Sequence, residues 1–309
     1  GFQRRQDGTF GDVLERIVID TRSFVPAEAT TEVALTTNLN SESELKTWNI
    51  DDPAGSSNFA TTSLIYDSLG ATHMVTTYFN KTGVNQWEYH QIVAASDVEV
   101  DAGTDETNAD GTFVVVGEGA LEFDDQGVLG SITPDGGAAI EPDDADWPNA
   151  TIPPANLDWN NGADSSGQSV DYAMNLTQFA SESVVVTQES NGYSTGSLSN
   201  ITVDAEGIII GNFSNGEKRN LAKLALAKFA NTNGLSKTGK NLFEVTTESG
   251  PPDVGTSGSA AGKIFSNSLE QSTVDIADEF AKMIVTQRTF QANSKTITTT
   301  DEMLNEVIN

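Results

Sequence analysis

The sequence predicts a mainly β protein: two antiparallel domains of sandwich or barrel type, followed by one long C-terminal α-helix. Three observations carry that expectation. The first two thirds of the chain break into short runs rich in β-branched and aromatic residues, Asx-initiated turns ending in Gly separate them, and a seven-residue apolar spacing takes over near the C-terminus.

The strand runs, in chain order, are ERIVID (15–20), TTEVALTTNL (30–39), SLIYD (63–67), HMVTTYFN (73–80), QWEYHQIVAA (86–95), TFVVV (112–116) and SVDYAMNLT (169–177). DSLG (67–70), NKTG (80–83), DDQG (124–127) and DAEG (204–207) are the turns. Hairpins set this closely argue for antiparallel sheets rather than βαβ units. From Ile132 to Gly167 no period is sustained, and a long surface loop or chain crossing is expected there.

LSNITVDAEGIIIGNF (198–213) reads as a hairpin around its Gly turn. NLAKLALAKFA (220–230) is ambiguous. Its Ala, Leu and Lys favour helix by propensity, whereas the alternation around Leu224 and Leu226 suits a strand. TTESGPPDVGTSGSAAG (246–262) reads as a linker, with a hinge at 255–262.

Beyond the linker, Leu269, Ile276, Met283, Phe290, Ile297 and Leu304 fall seven apart without a break. Phe280 and Ile308 lie four residues after two of them, in a second row otherwise made of Thr273, Gln287, Ser294 and Asp301. A strict heptad keeps one stripe facing a partner helix. A helix from Asn267 to Ile308 would be about 60 Å long, more stripe than a small domain covers, so other chains or another helix must pack on it. TITTT (296–300) weakens helix propensity and makes this segment marginal in isolation.

Of 45 acidic and 16 basic residues, 31 Asp and Glu lie in 23–217, where the only cations are Lys46 and Lys81. Residues 1–22 and 218–309 are each charge-balanced. The acidic block reads as a solvated outer surface that repels phosphate backbones and anionic headgroups, which argues against nucleic acid and membrane surfaces as partners. Absence of Cys excludes disulfides and thiolate ligands. No apolar run reaches a membrane span, and Gly1–Phe10 lacks the apolar core of a Sec-type signal.

Residues 262–309, GKIFSNSLEQSTVDIADEFAKMIVTQRTFQANSKTITTTDEMLNEVIN, resemble the C-terminal segment of bacterial axial flagellar proteins, the rod, hook and hook-associated group. Within it, SLEQSTVDIADEFAKMIVTQRTFQANSKTITTTDEML is similar to flagellar hook proteins in particular. GYSTGSLSNITVDAEGIIIGNFSNGEKRNLAKLALAKFANTNGLSKTGKNLFEVTTESG resembles the inner β domain of that family, and FVPAEATTEVALTTNLNS with IYDSLGATHMVTTYFNKTGVNQWEYH its outer one.

The resemblance implies an outer β domain over 1–192, part of an inner β domain with linker over 193–262, and a helix over 263–309 lining an inner tube. It turns 220–230 into a strand. It also implies an N-terminal helix and a first half of the inner domain, neither of which is recognisable before Gly1. The implied function is a structural subunit of the flagellar hook, a homopolymeric, extracellular helical tube that bends as a universal joint and is exported without a Sec signal. Implied partners are further copies, the hook cap protein, the distal rod protein and the hook–filament junction protein. Another axial protein, such as that of the distal rod, is the nearest alternative.

Enzymatic and ligand-binding readings find weak motifs. His73 and His90 are the only histidines, and no G-x-S-x-G accompanies them. ETNADG (106–111) starts like a calcium loop through Glu106, Asn108, Asp110 and Gly111, but Gly117 stands where the bidentate Glu belongs. EPDDADWPN (141–149) offers oxygen ligands without a defined geometry. Trp48, Trp87, Trp147 and Trp159 are the aromatics a carbohydrate-binding module would use, with packing as their plainer role. The sequence therefore predicts no catalytic residues, cofactor or resident metal.

Overall fold

Alternation at period two builds two facing sheets, because each strand then buries one row of side chains and solvates the other. The computed structural model describes all residues except 6–8, 12, 21, 101–105, 154–155, 165, 259–261 and 309, and of 307–308 the backbone alone. One sheet is a five-stranded antiparallel meander of β4 (Phe59–Tyr66), β5 (Thr72–Gly83), β6 (Gln86–Ala94), β7 (Phe113–Phe123) and β8 (Leu129–Pro134). The other runs in the order β11 (Val184–Ser190), β3 (Glu32–Asn40), β10 (Val170–Phe179) and β9 (Asn149–Ile152). Phe79, Trp87, Leu121 and Ile132 of the first sheet share one core with Leu35, Leu39, Tyr172 and Met174 of the second.

Within this sandwich β3 and β10 run parallel, from Glu32↔Asp171 to Asn40↔Phe179, a departure from the all-antiparallel expectation. The crossover that parallel pairing needs is supplied by the whole first sheet, which lies between them in sequence. The segment 132–167 holds more order than its composition suggests. Its β9 pairs with β10, Ile132 bridges Ile140, and Trp159 bridges Val98.

A third sheet has the order β1 (Phe2–Gln3), β14 (Lys218–Lys223), β13 (Ile208–Phe213), β12 (Gly196–Val203) and β2 (Phe24–Val25). The first 25 residues, assigned by sequence to the outer domain, thus contribute both edge strands of a sheet built from residues after 193. ERIVID forms no strand; Glu15 only exchanges backbone hydrogen bonds with Gly1.

Residues 220–230 are extended despite their helical composition. Leu224 separates β14 from β15 (Ala225–Lys228), and β15 pairs with β18 (Asp253–Thr256) inside the expected linker. Ladder hydrogen bonds from both neighbours of β14 outweigh a propensity difference of a few tenths of a kcal/mol per residue. A small hairpin, β16 (Ser236–Gly239) and β17 (Leu242–Glu244), turns through Lys240 and Asn241, both at positive φ. Among the described residues the α-helical elements are a four-residue turn, α1 (Pro53–Ser56), and the C-terminal α2 (Ile276–Ile308), with a 3-10 turn at Thr232–Gly234. Residues 1–263 and 264–309 are separate compact units.

Candidate functional site

The C-terminal unit is a helix with an uncovered apolar surface. Asp275 starts α2: its side chain accepts from Ala277 N–H at 2.8 Å, which satisfies one of the helix's free donors, and its carbonyl accepts the first bond of the helical ladder from Glu279 N–H at 3.2 Å. Thirty-three helical residues span about 50 Å, shorter than the length expected from sequence. Leu269 therefore stands outside the helix and is 95% exposed, so the six-residue seam loses its first member. Ser272 Oγ accepts from Val274 N–H at 3.2 Å in the same way, but the helix does not start there.

TITTT is helical, with hydroxyls bonded back along the helix. Thr296 donates to Ala292 O, Thr299 to Lys295 O and Thr300 to Thr296 O, at 2.7–3.0 Å. These bonds turn polar side chains onto the helix backbone.

Ile276, Phe280, Met283, Phe290, Ile297 and Leu304 are all exposed in the single chain. The side chain of Ile308 lies outside the described residues. Sequence reasoning passed over three more exposed apolar residues, Ile284, Val285 and Met303. An α-helix drifts about 20° per heptad, so the row from Ile276 to Leu304 winds about 80° around the axis. Val285 and Met303, five turns apart, lie on the opposite side. Apolar side chains on two sides of one helix suit contact with more than one neighbour.

The sandwich carries two histidine sites of similar construction. His73 Nε2 lies 3.1 Å from Asp67 Oδ2 and Nδ1 3.5 Å from Asp97 Oδ2, with the ring stacked on Trp159 at 3.8 Å. His90 Nδ1 lies 2.9 Å from Glu118 Oε2 and Nε2 3.7 Å from Glu88 Oε2, with the ring stacked on Trp48 at 4.2 Å. Both rings thus face carboxylates instead of a hydroxyl nucleophile. The hydrogen bond from His90 holds the Glu118 carboxyl below its ordinary range, against the opposing effect of burial.

Glu88, His90, Glu118 and Asp135 line a cleft of about 390 Å³ on the outer face of β6, β7 and β8, with Ala120 and Pro134 among its walls. Among the described residues no group of His, Asp and Glu is placed to hold a metal ion. The calcium-like loop is an Asn-centred turn: Asn108 Oδ1 accepts from the N–H groups of Thr112 and Phe113 and is turned away from any external ion. Of the tryptophans, Trp87 is fully buried, Trp159 nearly so and hydrogen-bonded to Gln168, Trp147 packs on the core, and Trp48 covers His90. None forms an open aromatic platform.

Comparison with known proteins gives a consistent pattern. Residues 36–193 match the family described as Flagellar basal body protein FlaE D2 domain, and 266–309 that described as Flagellar basal body rod FlgEFG protein C-terminal. Over 291 residues the chain is 32% identical to the flagellar hook protein FlgE of Salmonella typhimurium, covering 93% of this chain and 64% of that one. It is 34% identical over 264 residues to the flagellar hook protein FlgE of Treponema pallidum, covering 79% of this chain and 55% of that one. The Helicobacter pylori flagellar hook protein FlgE2 structure aligns at 17% identity with a TM-score of 0.39, over 63% of this chain and 38% of that one. The chain thus spans less than two thirds of the length of these curated relatives.

Proposed function

This chain belongs to the flagellar hook protein family, and from that premise we propose that it is a structural subunit that polymerises into the hook, a curved tube joining the flagellar motor to the filament. One observation carries the reading. A helix of 33 residues presents Ile276, Phe280, Met283, Phe290, Ile297 and Leu304 to solvent in the single chain, and burying them is worth about 1.5–3 kcal/mol each. A surface of that kind is stable in water once copies cover it.

In this reading α2 packs with neighbouring copies in the tube wall, and the acidic sandwich stands outside as a hydrated layer. Hydrated polar contacts rearrange at small cost while packed apolar seams do not, and this lets such a tube bend without coming apart. The role is mechanical, without catalysis or cofactor. Its other partners are the proteins at the two ends of the tube, on the rod and filament sides, and the cap at its growing tip, and its place is the extracellular hook.

The test is assembly of the full chain followed by electron microscopy. Met283→Asp and Phe290→Asp are expected to abolish tube formation while the near-ultraviolet circular dichroism of the sandwich tryptophans is unchanged. Normal polymerisation of either variant would remove the seam from the account. A straight or absent assembly in the parent chain would remove the hook reading itself.

A further inference from the structure

The hairpin β16–β17 is exposed at every position from Ser236 to Val245, and among these residues are Leu242 at 63%, Phe243 at 57% and Val245 at 48%. Its turn is held by positive φ at Gly239, Lys240 and Asn241, which fixes Lys240 at the apex. Six cations and no anion lie between Lys218 and Lys240. No hydrogen bond or ion pair engages the ammonium groups of Lys237 and Lys240 among the described residues.

The opposite imbalance marks the cleft on β6, β7 and β8. Glu88, Glu118 and Asp135 face it with no cation among its walls. Within 23–217 the sandwich has two lysines, and both are committed elsewhere: Lys46 Nζ donates to the carbonyls of Gly55 and Ser57, and Lys81 Nζ to that of Ser41. His90, which also lines the cleft and is 6% exposed, gives its Nδ1 proton to Glu118. Among the described residues its Nε2 has no hydrogen-bond partner, being buried and beyond bonding reach of Glu88. An ammonium group brings three donors to the Glu88, Glu118 and Asp135 carboxylates, and a lysine stem beside an aromatic ring suits walls of Ala120 and Pro134.

We propose that the β16–β17 hairpin of one copy docks on the acidic cleft of a second copy, with Lys237 and Lys240 meeting Glu88, Glu118 and Asp135 while Phe243, the cross-strand partner of Lys237 and so on its face of the hairpin, covers the cleft's apolar wall. This inference rests on the assembly reading above and adds to it a second, ionic contact, distinct from the helical seam. Desolvated charge pairs between copies are specific in register, and those at the rim weaken with salt.

The experiment follows assembly of the full chain by light scattering, at low salt and at about 0.5 M. Lys237→Glu/Lys240→Glu, and separately Asp135→Lys, are each expected to slow assembly at low salt by about tenfold or more. Combining Lys240→Glu with Asp135→Lys is expected to restore most of the rate. Zero-length carbodiimide crosslinking of assembled parent chain, read by mass spectrometry, should join Lys240 or Lys237 to Glu88 or Asp135.

If the charge reversals leave the rate unchanged, or the swap fails to restore it, the hairpin contact is wrong. Loss of assembly in Met283→Asp under those same conditions would show the assembly reading intact. If the parent chain does not assemble under any salt condition, both fall together.

Discussion

Asp67 Oδ2 and His73 Nε2 meet at 3.1 Å with both side chains buried, at the point where the β4–β5 turn is closed over the sandwich. Asp67 also accepts from Asn161 and from the N–H groups of Leu69 and Ala71. Burial works to raise its carboxyl, and these four hydrogen-bond donors outweigh it, so the group titrates below its ordinary 3.8. A carboxylate whose folded value is depressed stabilises the fold above the unfolded value and loses that contribution as pH falls through the folded one. Glu118 acts in the same direction from an ordinary 4.5.

The sandwich is therefore expected to keep constant stability from neutral pH down to about 4.5 and to lose it steadily below about 4. Urea unfolding monitored by tryptophan fluorescence across that range checks the slope. Asp67→Ala should cost about 1–3 kcal/mol at neutral pH, since it strands buried donors, and should make the acid limb shallower. An unchanged acid limb would mean that this cluster does not govern acid stability.

Trp87 Nε1 on β6 donates to Gln178 Oε1 on β10 at 2.5 Å, a buried bond between the two sheets across 91 residues of chain. Trp87→Phe keeps a six-membered ring in the core and removes the donor together with the pyrrole part of the indole. A loss of about 1–3 kcal/mol is expected, with the far-ultraviolet spectrum unchanged. A neutral substitution would mean that neither the bond nor the indole's extra volume stabilises the sandwich.

Gly127 has φ 78°, and a Cβ there would run into the backbone carbonyl of Gln178. Gly127→Ala is expected to destabilise by more than about 1 kcal/mol, because neither the turn conformation nor the contact can yield. Gly136, also at positive φ but with open space around its Cβ position, should tolerate Ala better. Thermal melts of the pair separate strain from the steric contact.

Asp275→Ala removes the α2 cap and should reduce helix stability by about 1 kcal/mol. Leu269→Asp lies before the helix and should leave the helical signal at 222 nm untouched. Equal losses in the two variants would mean that the helix extends back toward Asn267, as the heptad spacing alone suggests.

How far the sequence could be read depended on how local each signal was. The period-two runs located β3 to β7 and β10, and the DDQG and DAEG turns came out with Gly127 and Gly207 at positive φ, since neighbouring residues alone set those features. The heptad from Ile276 to Leu304 announced a helix made to be covered, while its start depended on one cap, Asp275, that the spacing ignores.

Other features depended on residues distant in the chain. The parallel pairing of β3 with β10, the recruitment of Phe2–Gln3 and Phe24–Val25 to the third sheet, and the capture of Asp253–Thr256 by β15 are choices of partner, and a strand's own residues do not specify which edge it joins. His73 and His90 were visible as the only histidines, but their carboxylate and tryptophan neighbours come together only when the strands align. By itself, then, the sequence determined the element types, the charge division and the uncovered helical stripe, because these are written in spacing and composition. The tertiary structure decided which edges pair, what surrounds each buried charge and which apolar residues remain exposed, because those depend on contacts made across tens of residues.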